Sequence, residues 1–262
     1  MQGSANLNVM TAAARKAGRS LAKDFREVEN LQVSTKGAGD FVSRADIRAE
    51  EIIREDLMNA RPNYGWVGEE SEPVEGKDPT RRWIVDPLDG TTNFLHGLPH
   101  WAVSIALEHK GEIVAGVVYD ASKDELFFAE KGQGAWMNET RLRVSGRSKM
   151  IESIFATGVP FGGRPDLPAT LQDLARLMPA VAGVRRFGAA ALDLAYVAAG
   201  RYDGYWERGL NSWDVAAGVL IAKEAGALVE SLEGTEAAHE SGALIAGAET
   251  IFDTFAKVIR NK

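Results

Sequence analysis

Three apolar residues, Trp83-Ile84-Val85, lead without a break into Asp86-Pro87-Leu88-Asp89-Gly90-Thr91-Thr92-Asn93-Phe94. Few folds can use such a junction. A compact buried strand delivers Asp86 at its end, and Pro87 and Gly90 bend the chain there, so Asp86 and Asp89 converge instead of pointing apart. Two carboxylates and the intervening carbonyl of Leu88 are hard oxygen donors, which suit Mg²⁺ rather than a soft metal. Gly90-Thr91-Thr92-Asn93 then opens a helix whose N–H groups and dipole favour a phosphate. On the spacing D-P-x-D-G alone a second reading stands beside this one: a strand and turn whose Asp and Thr side chains act only as caps.

The rest of the chain reads as a mixed α and β protein. Met10, Ala14, Ala17, Leu21, Phe25 and Val28 recur at three- and four-residue steps, the stripe of a helix over residues 5–29. Lys36-Gly37-Ala38-Gly39-Asp40 reads as a mobile loop, and residues 44–60 as a second helix that stops ahead of Pro62. Residues 101–109, 112–119 and 125–130 form an antiparallel meander, with a further strand at 141–144. Later segments alternate: strands at 153–159, 181–187, 227–230 and 243–246, and helices at 168–178, 189–199, 215–226 and 249–261. The composition shifts near residue 145, which divides the chain into an N-terminal part, 1–145, and a C-terminal part, 146–262.

Composition removes several classes of function. With 262 residues, 45% hydrophobic and 26% charged, the chain is globular and long enough for ample core. It has no cysteine, so a thiol nucleophile, a cysteine-held zinc and an iron–sulfur cluster are excluded. Thirty Lys and Arg against 37 Asp and Glu leave a net charge of −7, which argues against direct nucleic-acid binding. No apolar window is long enough to span a membrane, and MQGSANLNVM lacks the layout of a signal peptide. A cytoplasmic location is the expectation.

Two further blocks resemble known chemistry when set beside the first. They are Gly68-Glu69-Glu70-Ser71 and Trp213-Asp214-Val215-Ala216-Ala217-Gly218. On its own Glu69 reads as a cap or surface acid, and Asp214 as the N-terminal acid of a helix. The three blocks together, in this order, resemble the inositol monophosphatase family, among the lithium-sensitive, Mg²⁺-dependent sugar and inositol phosphatases. His96-Gly97-Leu98-Pro99 and Gly188–Gly204 add to the likeness, which covers nearly the whole chain. The resemblance implies an α+β (mixed α/β) fold, a layered α-β-α-β-α sandwich with its site between two subdomains, and a homodimer. It implies two to three Mg²⁺ ions, replaceable by Mn²⁺ and antagonised by Li⁺, on Glu69, Asp86, Asp89, Asp214 and the Leu88 carbonyl. Divalent ions neutralise phosphate oxygens, activate water and stabilise a leaving oxygen, which is what hydrolysis of a phosphate monoester needs.

Roles for other residues follow from the same resemblance. The nucleophile is a metal-bound water positioned by Thr91 and Asp46, with Glu69 also catalytic. Asp46 ends Asp40-Phe41-Val42-Ser43-Arg44-Ala45-Asp46, in which Ser43 replaces the family's usual Thr and keeps the hydroxyl. Asp89, Gly90, Thr91, Gly188, Ala190 and Glu207 are expected to meet the substrate, a small phosphorylated polyol. A carboxylate at Glu207 that accepts from vicinal hydroxyls favours a polyol over an aromatic leaving group. Lys36 lies on the loop that closes over the site in the family. Glu70 is expected to orient Glu69 or support it from behind. Asp193 reads first as a buried helix acid and second as a substrate-side acid, Arg185 and Arg186 first as a surface or interface ion pair and second as phosphate-binding, and His96 and His100 as packing or hydrogen-bonding residues. Alternative substrates within the fold are histidinol phosphate, fructose 1,6-bisphosphate, a nucleotide 3′-phosphate and NADP. A role in transcription or ribosome assembly, as in some bacterial relatives, is the reading from another class.

Overall fold

The computed structural model describes residues 3–27, 33–37, 40–161, 165–232 and 237–261. Helix α1 spans Ala5–Phe25 and is started by Ser4, whose hydroxyl accepts the Leu7 N–H. It buries Met10, Ala14, Ala17 and Leu21, the stripe read from the sequence, whereas Val28 lies outside the described residues. Strands β1 (Val33–Gly37) and β2 (Asp40–Ser43) form an antiparallel hairpin in which Gly37 faces Asp40. Lys36 therefore falls within β1, at the register shift between the paired Thr35 and Gly37, and not in a loop as the sequence suggested. Ala38, Gly39 and the Lys36 side chain lie outside the described residues. Helix α2 spans Arg44–Ala60 and opens with a reciprocal cap between Ser43 and Asp46.

A seven-stranded sheet follows, ordered β3-β4-β5-β6-β7-β8-β9. Its strands are β3 (Gly65–Gly68), β4 (Arg81–Asp89), β5 (Ala102–His109), β6 (Glu112–Asp120), β7 (Glu125–Glu130), β8 (Ala135–Met137) and β9 (Thr140–Arg141). The pairs from β4 to β9 are antiparallel, the expected meander extended by β4 on one side and β8 on the other, and β3 runs parallel to β4. The strand expected at 141–144 shrinks to the end of β9. The short helix α3, Thr91–Leu95, leaves the end of β4.

The second sheet has five strands: β10 (Ile154–Thr157), β11 (Gly183–Arg185), β12 (Gly204–Arg208), β13 (Ala227–Ser231) and β14 (Ala243–Ala248), ordered β11-β10-β12-β14-β13. Four helices accompany it: α4 (Leu167–Leu177), α5 (Ala190–Ala198), α6 (Ser212–Glu224) and α7 (Glu249–Arg260).

Three cores explain the layering. Helices α1 and α2 bury their apolar stripes with Trp83, Val85, Val103 and Ile105 on one face of the first sheet. Helices α5 and α6 lie between the sheets, in a core shared by Ile84, Val118, Leu194, Ile221 and Ala246. Helix α7 covers the outer face of the second sheet through Ile251, Phe252 and Phe255 against Phe155 and Trp206. Helix α5 is apolar on every face because it is covered on every face: all nine of its residues are buried. The result is the α-β-α-β-α sandwich.

Candidate active site

In a regular strand, residues three apart point to opposite faces of the sheet. Strand β4 breaks that rule where it needs to. Asp86 faces Ser104 on β5 and Asp89 faces Ala102, so β4 uses three steps where β5 uses two. The extra residue is a bulge, and it brings the two carboxylates to one side. Gly90 then turns the chain at φ 92° into α3, a left-handed conformation that disfavours any other residue, with the His100 carbonyl 3.0 Å from where a Cβ would stand.

Other elements bring acids to the same place. At the end of β3 the Glu69 N–H donates to the Val85 carbonyl, which seats Glu69 beside Asp86. The Glu70 N–H donates to Glu50 Oε2 from α2 at 2.8 Å, and a Cβ on Gly68 would lie 2.6 Å from that same oxygen. Gly68 is thus required by a buried acid that braces the Glu69-Glu70 turn. Asp214 comes from the first turn of α6, where it accepts the Asn211 N–H at 2.7 Å. It is a helix-capping acid and a member of the acidic cluster at once, so the two sequence readings of this residue are compatible.

The electrostatics record how close these acids are. Burial pushes the Asp86 carboxyl well above its usual pKa, and Glu69, Asp89 and Asp214 push it further; Glu69 is within hydrogen-bonding contact. Asp89 is raised likewise by burial, with Asp214 the leading neighbouring charge. Each of these carboxylates is clamped at one oxygen: Asp86 Oδ1 accepts the Leu88 N–H, and Asp89 Oδ2 accepts the Ala191 N–H at the start of α5, both within 2.9 Å. Four carboxylates gathered in one place, two of them buried beside each other, are a donor set of hard oxygens, which fits one or more small divalent cations.

Thr91 and Asp46 also meet. The Thr91 hydroxyl is 2.9 Å from Asp46 Oδ1 and 3.0 Å from the Leu88 carbonyl oxygen. It has one proton to give, and the buried Asp46 carboxylate is the stronger acceptor. Asp46 Oδ2 accepts from the N–H and the hydroxyl of Ser43, so the replacement of Thr by Ser keeps the contact. Burial raises the Asp46 pKa, and the Ser43 and Thr91 bonds oppose that rise.

A cavity of about 340 Å³ opens above the cluster. Its wall includes Glu69, Asp89, Gly90, Thr91, Gly188, Ala190, Glu207 and Asp214, so residues from both sheets face one space. Asp86 and Leu88 are buried beneath it. Both Arg185 and Arg186 are exposed, and of the two only Arg186 lines the wall, stacked over Phe161. His100 packs edge-on to Phe187 and Tyr196, and burial lowers its pKa to about 4, so it is neutral packing as expected. Asp193 is a buried acid of α5.

Sequence reasoning missed several supporting residues. The Asn93 amide donates to the His100 carbonyl at 2.8 Å and the Phe187 carbonyl at 2.7 Å, and so ties the turn before Gly188 to α3. Its place inside the D-G-T-T-N block was the available signal. Glu50, Gly158 and Tyr205 carry no local motif. A second group of potential ligands, Glu108, His239 and Glu240, lies elsewhere, and Arg82 Nη2 bridges both carboxylates at 2.7 and 3.1 Å, which makes it an ion-pair node. Among the described residues no helix is long and apolar enough to cross a membrane.

Comparison with known proteins gives the same direction. The model of the inositol monophosphatase family matches residues 4–262. The chain is 55% identical over 260 residues to an inositol-1-monophosphatase of Mesorhizobium japonicum, covering 99% of this chain and 98% of that one. It is 45% identical over 245 residues to a Nus factor SuhB of Pasteurella multocida, covering 94% of this chain and 92% of the relative. A crystal structure of extragenic suppressor protein suhB from Bartonella henselae superposes with a TM-score of 0.95 at 53% identity, covering 98% of this chain and 99% of that one.

Proposed function

The chain belongs to the inositol monophosphatase family, and from that premise we propose that it is a phosphomonoesterase that hydrolyses inositol monophosphate to inositol and inorganic phosphate. The observation that carries this reading is the convergence of Glu69, Asp89 and Asp214 on one cavity wall with Asp86 buried beside them, Asp86 and Asp89 being held well above their usual pKa by burial and by the neighbouring acids. Acids so placed are stabilised as anions by divalent cations. Glu69, Asp86, Asp89, Asp214 and the Leu88 carbonyl would hold two to three Mg²⁺ ions, with Mn²⁺ as a substitute and Li⁺ as an inhibitor. Bound there, the ions supply charge neutralisation for the phosphate and a lowered pKa for the attacking water.

The chain's own groups do the rest. Thr91 donates its hydroxyl hydrogen bond to Asp46 and so turns a lone pair toward the cavity, where it accepts a hydrogen bond from the attacking water. Glu69 takes the other proton of that water as its oxygen bonds to phosphorus. The ester P–O bond breaks in line, and the inositol alkoxide takes a proton from solvent. Gly90 and Thr91 offer backbone N–H groups to the phosphate, Gly188 and Ala190 let the ring approach the backbone, and Glu207 accepts from ring hydroxyls. The parts on either side of residue 145 are read as the two walls of this site. A homodimer in the cytoplasm is the expected working form, and Lys36 is assigned no contact.

Phosphate release from a panel of inositol, sugar and nucleotide phosphates, with and without Mg²⁺, tests the reading. Inositol monophosphate is expected to have the highest kcat/KM, and only with Mg²⁺; a clear preference for histidinol phosphate or a nucleotide 3′-phosphate would reassign the substrate. A second reading, assembly with the transcription machinery, is supported by the likeness to a relative named Nus factor SuhB. A pulldown with RNA polymerase using Asp89→Asn would separate it, because binding that survives the loss of turnover is independent of catalysis.

A further inference from the structure

Glu207 does not stand in its place unaided. Tyr205 and Glu207 are two residues apart on β12 and so share a face, with Trp206 between them in the opposite core. Tyr205 is fully buried, and its hydroxyl lies 2.7 Å from Glu207 Oε2. A phenol facing a carboxylate must donate. From the other side, Gly158, the residue after β10, lies flat against the same carboxylate. A Cβ built on Gly158 would stand 1.8 Å from Glu207 Oε1 and 2.0 Å from Cδ. Gly158 has no left-handed backbone angle, so glycine is needed here for room and not for conformation.

The chemistry of the surroundings gives this clamp a purpose. Asp89 and Asp193 are acids close enough to act on the pair. A neutral O–H donor fixes the direction of the carboxylate and leaves its charge in place. Burial and the nearby acids keep the Tyr205 hydroxyl protonated far above neutral pH. One carboxylate oxygen is thus held by Tyr205, and the other lies over Gly158, with Glu207 and Gly158 both lining the cavity wall.

We propose that Tyr205 and Gly158 are positioning residues that fix the Glu207 carboxylate as a hydroxyl acceptor, and so make the site selective for phosphate esters whose alcohol carries hydroxyls near the ester bond. The inference rests on the reading of Glu207 as a substrate contact. Neither residue touches the reacting atoms; each acts through Glu207. The loss on removal is therefore a loss of discrimination between leaving groups. It appears in KM for the hydroxylated substrate more than in kcat.

The test compares kcat and KM for inositol 1-phosphate and for 4-nitrophenyl phosphate, which has no hydroxyl on its leaving group. Wild type, Tyr205→Phe, Gly158→Ala, Glu207→Ala and the double variant Tyr205→Phe/Glu207→Ala are measured with Mg²⁺, and thermal melting checks the fold. Tyr205→Phe and Gly158→Ala are each expected to lower the inositol-to-nitrophenyl ratio of kcat/KM by about tenfold, mainly through KM, the size of one lost directed hydrogen bond. On the Glu207→Ala background, Tyr205→Phe is expected to change the ratio no further. Tyr205→Phe keeps the ring and its packing, so it remains informative if Gly158→Ala does not fold. If Glu207→Ala shifts the ratio and Tyr205→Phe leaves it unchanged, the positioning proposal is wrong and the Glu207 reading stands. If Glu207→Ala does not shift the ratio, both are wrong.

Discussion

Asp89 carries the most work of any single residue. Its Oδ2 is fixed by the Ala191 N–H, its pKa is raised by burial and by Asp214, and its carboxylate faces the cavity. Asparagine preserves shape and can still accept from Ala191. Asp89→Asn is therefore expected to cut turnover by at least about a hundredfold, the scale of losing a metal contact. The same variant, free of metal, should melt higher than wild type, because one of the mutually repelling acids is gone. Asp193 gives a cleaner pH test. Neither of its carboxylate oxygens has a hydrogen-bond partner among the described residues, and burial holds its pKa well above the usual value. A carboxyl whose pKa is higher folded than unfolded supports the fold at low pH, and that support is lost as pH rises through the folded value. Asp193→Asn should match wild type near pH 4 and melt several degrees higher near pH 8; identical melting curves at both pH values would contradict the assignment. The sequence made Asp89 legible because it stands within the nine-residue motif Asp86–Phe94. Tyr205 and Gly158 were not legible as supports, since Tyr205 meets Glu207 only because both lie on one face of a strand the sequence did not announce, and Gly158 acts by an absence of atoms.

Helices and strands set how those residues meet. The bulge in β4 could be anticipated from Pro87 and Gly90, though not its form, because a bulge is defined by what the partner strand does. Strand β12 escaped the sequence reading. It is five residues long and has no clean alternation, as both of its faces are covered by core. The Gly-rich hairpin of β1 and β2 escaped for the opposite reason: glycine marks a turn without saying that the flanks pair. Helix α6, which carries Asp214, rests directly on β6. A Cβ on Gly116 would come 2.9 Å from the Ala217 carbonyl oxygen and 3.0 Å from its Cα, and helix backbone cannot yield as a side chain can. Gly116→Ala is expected to destabilise the protein by about 1–3 kcal/mol, the usual range for overpacking. Because α6 must lift, the variant should also lose apparent Mg²⁺ affinity, which a titration of activity against Mg²⁺ would read. A variant with reduced melting temperature and unchanged Mg²⁺ dependence would show that α6 does not set the site.

At the scale of the molecule, the two sheets are joined by α5 and α6 between them, and the cavity opens where the end of β4 meets the starts of those helices. Glu69, Asp86 and Asp89 come from the first sheet and Asp214 from α6, so a cation bound by all four would tie the two halves together. Mg²⁺ at about a hundred times its Kd should then stabilise the fold by about 2.7 kcal/mol, and thermal melting across a Mg²⁺ titration would show the rise. The excess of 37 acids over 30 bases takes on a local meaning here, since part of it sits on one cavity floor. The absence of cysteine does too: no thiol nucleophile is available, and this cluster is suited to making water reactive. The layered fold was legible in the sequence through family motifs more than through periodicity, because α5 and α6 are too uniformly apolar to show a face. The most direct measurement of the central claim is the rate of phosphate release from inositol 1-phosphate after the protein is stripped with excess chelator and Mg²⁺ is then restored. The rate should fall to background and return with Mg²⁺; an undiminished rate in excess chelator would contradict the account.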